Sequence, residues 1–181
     1  MTVTAFQLAE TYRQPVVLLL DAVLSHMREN IDLPQAEQVQ AAAATVPRDG
    51  HRPFGDTPFV PFGEGERTVV TGLAHDESGL PRTGTGAATE RILRQTMQRL
   101  ETDRDAITRY ETHNTADARY LVLAYGITAR AALAAVEILR DEGIPAGLLE
   151  LQTLWPFPDH LVAQEAQRVA GILVPELNLG Q

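Results

Sequence analysis

Apolar residues along this chain come either at helical spacing or in short unbroken runs, and the two patterns take turns. TAFQLAETYRQ sets Phe6, Leu8, Ala9 and Tyr12 at helical spacing behind Thr4, a residue suited to capping, and Pro15 closes the segment. VVLLLD follows as a short apolar run, the pattern of a strand buried on both faces. AVLSHMREN predicts a short helix behind it. Such a strand needs a neighbour on each side, and the nearby sequence offers none.

From Ile31 to Glu66 the periodicity gives way to Pro, Gly and charge: VPRDGHRPFGDTPFVPFGEGE carries four prolines and four glycines at no repeat spacing. A connection of this length suits an interface arm. Phe54, Phe59 and Phe62 argue that it lies against another surface, since solvated linkers carry few large apolar side chains. TVVTG then predicts a short strand, followed by a polar, Gly-rich loop. Ala88 to about His113 predicts a polar helix with one narrow stripe of Leu93, Met97, Leu100 and Ile107, and with Glu90/Arg94 and Asp105/Arg109 at i,i+4.

The last third is the most regular. RYLVLAYG predicts a strand. Thr128 is placed to cap a helix whose inner face holds Ala129, Ala132, Leu133, Val136 and Leu139, and Gly143 is placed to end it. IPAGLLELQT predicts a second strand, PDHLVAQEAQRVA a helix with Pro158 and Asp159 in its first turn, and GILVPE a third strand. Strand and helix in alternation with short connections call for βαβ crossovers and a parallel sheet. The carboxyl ends of those strands, where open α/β sheets build their sites, are Tyr125 to Thr128, Thr153 to Phe157, and Pro175 to Asn178.

Composition narrows the functional classes. A length of 181 residues with 44% hydrophobic content supports a globular core, and a formal net charge of -9 leaves no basic footprint for nucleic acid or an anionic membrane. No apolar run reaches the roughly 20 residues that span a bilayer. The start, MTVTAFQLAETYRQ, lacks the basic and apolar regions of a secretory signal, which points to a cytoplasmic protein. With no cysteine, the chain supplies no disulfide, zinc thiolate or iron–sulfur ligand.

Candidate chemistry sits in three places. Trp155, Pro156 and Phe157, with the only Trp of the chain, are either a staple seating one element on another or part of a docking interface. The turn AYGITAR can present a helix N-terminus to an anion, although it lacks the glycine spacing of a dinucleotide fingerprint. His75, Asp76 and Glu77 group an imidazole with two carboxylates on one loop; three adjacent residues cannot all converge on one metal, which favours a hydrogen-bonded loop. His26, His51, His113 and His160 are scattered and read as surface or capping residues. No nucleophile elbow, Walker loop or HExxH is present.

Four segments taken together carry a family resemblance. AFQLAETYRQPVVLLLDAVLSHMRE, TGLAHDESGLP, LVLAYGITARAALAAVEILRDEGIPAGLLELQTLWPFP and LVPELNLGQ, in this order and spacing, closely resemble the alpha subunit of 2-oxoacid:ferredoxin oxidoreductases, in particular the 2-oxoglutarate type. The resemblance implies an α/β chain: residues 1–30 as the end of a thiamine-diphosphate pyrimidine-binding domain, 31–118 as a connecting arm and polar helix, and 119–181 as a truncated, Rossmann-like three-layer transketolase C-terminal-like domain. It implies oxidative decarboxylation of a 2-oxoacid to an acyl-CoA and CO2 with reduction of ferredoxin. The implied cofactors of the parent complex are thiamine diphosphate, Mg and an iron–sulfur cluster, and the implied partner is a beta subunit.

The family's upstream YPITP-type motif, its acidic residue for the aminopyrimidine and its Arg/Thr substrate loop have no counterpart here. The family's pyrophosphate and magnesium site belongs to the beta subunit. The chain therefore resembles the C-terminal portion of an alpha subunit, inactive alone and concerned with assembly, with His75, Asp76, Glu77, Trp155, Pro156, Phe157, Asn178 and Gln181 as candidate loop or interface residues. Two alternatives remain: the beta component of a 2-oxoacid dehydrogenase or another transketolase-like enzyme, and a non-catalytic binding or scaffold domain.

Overall fold

The computed structural model describes residues 1–12, 14–45, 69, 71–73, 75, 80–81 and 86–178. The chain divides into two compact units, Met1–Leu19 with Glu29–Thr102, and Leu20–Arg28 with Asp103–Gln181.

The second unit holds the sheet. Its strands are β1 (Tyr110–His113), β2 (Tyr120–Ala124), β3 (Ala146–Leu151) and β4 (Gly171–Leu173), in the order β1-β3-β2-β4. β2 pairs in parallel with both β3 and β4, as the alternation predicts. β1 adds an antiparallel edge to β3, with Glu111 opposite Glu150 and His113 opposite Leu148. One helix covers each face. Val122, Ala124, Ala146 and Leu148 pack under Ala129, Ala132 and Val136 of the Gly126–Asp141 helix, and Leu121, Leu123, Leu149 and Leu151 pack on the other face with Leu161 and Val162 of the Asp159–Ala166 helix. Three layers result because both faces of β2 and β3 are apolar at alternate positions. Leu148 and Leu149, adjacent in sequence and on opposite faces, are both fully buried.

The Gly126–Asp141 helix ends as its sequence dictates. Gly143 has φ +82°, its N–H donates to the Arg140 carbonyl, and the Ile144 N–H reaches back to Leu139. This is the double bond of a Schellman terminus, and glycine is the residue that adopts it without a Cβ clash. In the last turn Arg140 locks the β1–β2 connection by donating to both Asp117 carboxylate oxygens (2.9 and 2.8 Å) and to the carbonyls of Asn114 and Ala146.

The hydrogen-bonded Arg140 guanidinium holds the Asp117 carboxyl below the ordinary carboxylate value. A depressed carboxylate stabilises the fold above its unfolded pKa of about 3.9 and loses that contribution as pH falls through the folded value. Asp117→Asn is therefore expected to lower the urea midpoint at pH 7, by a margin that shrinks as the pH falls through the folded value. A deficit that does not shrink with falling pH would mean that charge is not what the pair contributes.

The regular elements described in the first unit are helices, with one isolated bridge. The N-terminal helix Thr2–Tyr12 lies beside Ala36–Ala44 through Gln7, whose amide donates to the Ala42 carbonyl at 2.8 Å and to Thr45 Oγ1 at 3.2 Å. Arg99, on the Gly86–Thr102 helix, donates to the Thr11 carbonyl and stands 5.3 Å from the ring centre of the buried Tyr12.

Several expectations are corrected. The N-terminal helix begins at Thr2, so Thr4 lies inside it and is not its cap. VVLLLD forms no strand: Val16 to Leu20 run as irregular chain with Val17 76%, Leu19 73% and Leu20 66% exposed. A doubly buried strand exists only between two neighbours, and no described strand of this chain flanks it. The stretch 31–66 is not irregular throughout, since Ala36–Ala44 is a helix with a capping box between Gln35 and Gln38; its alanines are strong helix formers. The helix predicted to run to His113 ends at Thr102, a short turn of helix follows at Arg104–Ile107, and Tyr110–His113 is strand.

Within the predicted stripe, Leu100 and Ile107 are buried while Leu93 and Met97 stay exposed. The Glu90–Arg94 pair forms at 2.7 Å, whereas Arg109, outside any helix, donates to the Ala106 and Thr108 carbonyls. Of the predicted strand TVVTG, Val69, Thr71 and Gly72 lie in no strand, and Thr68 and Val70 fall outside the described residues.

Candidate functional site at the carboxyl edge of the sheet

The helix after β2 departs from one face of the sheet and the helix after β3 from the other, so the crossover direction reverses next to β2. Parallel sheets open a crevice at such a reversal. Four groups meet at this end of β2: Asp21, Tyr125, Gly126 and Glu176.

The turn into the helix is closed from within the chain. Gly126 has φ +56°, and a Cβ built there would stand 2.5 Å from Asp21 Oδ2. That same oxygen accepts the Ile127 N–H at 2.8 Å. A carboxylate 105 positions before the helix therefore supplies the negative charge that its N-terminus attracts. Thr128 is not the cap; its hydroxyl donates to the Tyr125 carbonyl at 2.6 Å. Asp21 occupies the helix N-terminus at AYGITAR, and an exogenous phosphate would have to displace it.

Beside this turn the Tyr125 hydroxyl donates to Glu176 Oε2 at 2.9 Å, and the Asn178 amide donates to the same oxygen. The carboxylate that accepts the phenol proton raises the Tyr125 pKa, because ionising the phenol would set two negative charges against each other. Tyr125 stays a donor at neutral pH and ties the chain after β4 to the end of β2.

The end of β3 is built differently. Thr153 Oγ1 accepts the Arg109 N–H at 2.9 Å, fastening the β3 end to the start of β1. Pro156, joined to Trp155 by a cis peptide bond, is buried, while Trp155 is 62% and Phe157 46% exposed. The partly buried apolar groups packed on that face of the sheet are Tyr125, Leu161, Val162, Val169 and Ile172. Leu154, Leu173, Val174 and Leu177 are exposed at the same end of the parallel strands.

Of the remaining candidates, His75 is buried, shares a 2.8 Å hydrogen bond with Thr71 and forms an isolated bridge with Pro81. Asp76, Glu77 and Gln181 lie outside the described residues. The expectation that His113 is a surface or capping residue is corrected. It sits in a strand with Nε2 buried, and it converges with Glu111 and Glu150. The signal was the spacing Glu-x-His, which on a strand places both side chains on one face.

At the end of β2 the helix N-terminus is filled by Asp21, and Tyr125, Glu176 and Asn178 are bonded to one another. No helix among the described residues is long and apolar enough to cross a membrane.

Comparison with known proteins agrees with this architecture. Residues 1–95 match the model for "Pyruvate flavodoxin/ferredoxin oxidoreductase, thiamine diP-bdg", and residues 118–181 match "Pyruvate:ferredoxin oxidoreductase core domain II". The chain is 38% identical over 99% of its length to 2-oxoglutarate synthase subunit KorA of Methanothermobacter thermautotrophicus, covering 50% of that protein. It is 35% identical over its whole length to ketoisovalerate oxidoreductase subunit VorB of the same organism, covering 46% of that chain. Among solved structures, a 2-oxoglutarate:ferredoxin oxidoreductase from Magnetococcus marinus with 2-oxoglutarate, coenzyme A and succinyl-CoA bound shares the fold, with a TM-score of 0.59 and 22% identity over 68% of this chain and 22% of that one. The chain spans about half the length of the curated relatives it matches. It belongs to the pyruvate flavodoxin/ferredoxin oxidoreductase family.

Proposed function

We propose that this chain serves in the alpha component of a cytoplasmic, thiamine-dependent 2-oxoacid:ferredoxin oxidoreductase, with 2-oxoglutarate as substrate. The parent assembly decarboxylates the 2-oxoacid oxidatively, hands the acyl group to CoA and passes the electrons to ferredoxin through iron–sulfur chemistry. The observation that carries this reading is the family match over both 1–95 and 118–181, joined to relatives named for 2-oxoglutarate at up to 38% identity. The ketoisovalerate relative at 35% keeps branched 2-oxoacids as the competing substrate class.

Within that assembly the chain acts in assembly. Residues 1–30 complete a pyrimidine-binding domain, 31–118 connect, and 119–181 form the transketolase-like part. Its sheet edge presents Leu154, Trp155 and Phe157 to a beta subunit that holds the diphosphate, magnesium and iron–sulfur cluster. Support comes from the absence of cysteine, which leaves this chain no thiolate for an iron–sulfur cluster. His75, Asp76, Glu77, Asn178 and Gln181 are proposed as loop or interface residues.

Isolation of the tagged chain from its source cells tests the reading. A co-purifying assembly should contain thiamine and iron, and should reduce ferredoxin only when both CoA and 2-oxoglutarate are supplied. Reduction of NAD through lipoamide would instead place it in a 2-oxoacid dehydrogenase. Recovery of the chain with no partner would make it a binding or scaffold domain.

A further inference from the structure

The outer edge of the sheet carries a cluster that neither the crevice nor the aromatic turn uses. Glu111 and His113 are two apart on β1, hence on one face, and Glu150 lies directly opposite Glu111 on β3. Like charges directly opposite on neighbouring strands destabilise the pair. Here nothing spreads them apart: one carboxylate oxygen from each Glu and one ring nitrogen lie within 4.8 Å of one another.

The imidazole is aimed into the gap. His113 Nε2 is buried and has no hydrogen-bond partner, yet Glu111 Oε2 and Glu150 Oε2 each stand 3.9 Å from it. That distance is too long for a hydrogen bond and close to the separation of two ligands sharing one ion. With metal–nitrogen and metal–oxygen bonds of about 2.0–2.2 Å, ligand atoms around a common cation lie roughly 3–3.6 Å apart. Contraction of each His–Glu distance by about half an ångström brings it into that range, and the carboxylate oxygens, within 4.8 Å of each other, close the set by rotation of the two glutamate side chains. A second residue orients it: the Gln152 amide donates to the other oxygen of Glu111 at 2.8 Å, turning Oε2 toward His113. The side chains of His113 and Glu150 remain about 30% exposed and that of Glu111 58%, so an ion can enter from solvent.

We propose that Glu111, His113 and Glu150 form a binding site for one divalent first-row transition metal ion, of the zinc, cobalt or manganese class. One imidazole with two carboxylates favours these ions over magnesium and calcium, which take oxygen ligands. The ion clamps the antiparallel edge β1 onto β3 by cancelling the opposed carboxylates. Three protein ligands leave positions for water.

Titration of the full 181-residue chain with Co2+, followed by visible absorption and by displacement with Zn2+, decides the matter. One ion per chain is expected. His113→Gln and Glu150→Gln should each weaken it more than the 10- to 100-fold expected of an outer-shell change such as Gln152→Ala. His160→Gln should bind as the parent chain does. Zn2+ should also slow amide exchange in β1 of the parent chain, a readout that needs no variant to fold. Absence of a Co2+ spectrum, unchanged binding in His113→Gln, or slowed exchange elsewhere but not in β1 would each overturn the site and leave adventitious binding only.

Discussion

Replacing Gly126 with alanine will lower the stability of the sheet unit by about 2–3 kcal/mol. Two costs add. An L-residue at φ +56° pays roughly 1–2 kcal/mol for the left-handed conformation. The new Cβ would also lie 2.5 Å from Asp21 Oδ2, so the carboxylate must withdraw and the Ile127 N–H loses its cap, worth about 1 kcal/mol. Asp21→Asn separates the terms. It keeps an oxygen acceptor and removes the charge, so it should cost only the 0.3–1 kcal/mol of a helix-dipole interaction. Exchange rates of the β2 and β3 amides under native conditions report this unit alone, where a single unfolding midpoint would mix it with the helical one. A Gly126→Ala chain within 0.5 kcal/mol of the parent would show that the turn relaxes freely and that Asp21 does not hold it.

The interaction behind that prediction shows where sequence reading stops. The strands β2, β3 and β4, both covering helices and the Gly143 terminus were legible because each rests on contacts within a few residues or on strict periodicity. The partner of the Gly126 turn was not, because Asp21 lies 106 positions before Ile127 and looks like the last residue of an apolar strand. VVLLLD misled for the related reason that its pattern reports a need for neighbours without saying where they are. β1 was hidden by its composition: Tyr-Glu-Thr-His on an edge strand has little apolar signal, and the stripe ending in Ile107 carried the helix too far. With β1 missed, the convergence of His113 with two glutamates had no geometry to stand on. The family was legible all the same, because the motifs that carry it lie in order along the chain and do not depend on the fold being solved.

Trp155→Ala is expected to weaken association with the beta-type partner by about 2 kcal/mol or more, roughly 30-fold in dissociation constant, while costing the chain's own stability less than about 1 kcal/mol. The asymmetry follows from exposure. A staple would bury the indole against its own helix, whereas Trp155 is 62% exposed. Single exposed apolar residues are ordinary, but Leu154, Trp155 and Phe157 fall within four positions at the end of one strand. Indole surface of that size is the usual anchor of an interface, since it buries much area for two torsions. Pro156, buried between the two exposed rings, gives the control: enlarging or shrinking it should disturb folding first and association only as a consequence. Equal losses of stability and association on Trp155→Ala would return the turn to a staple within the chain, and the sheet edge would then need another anchor for its partner.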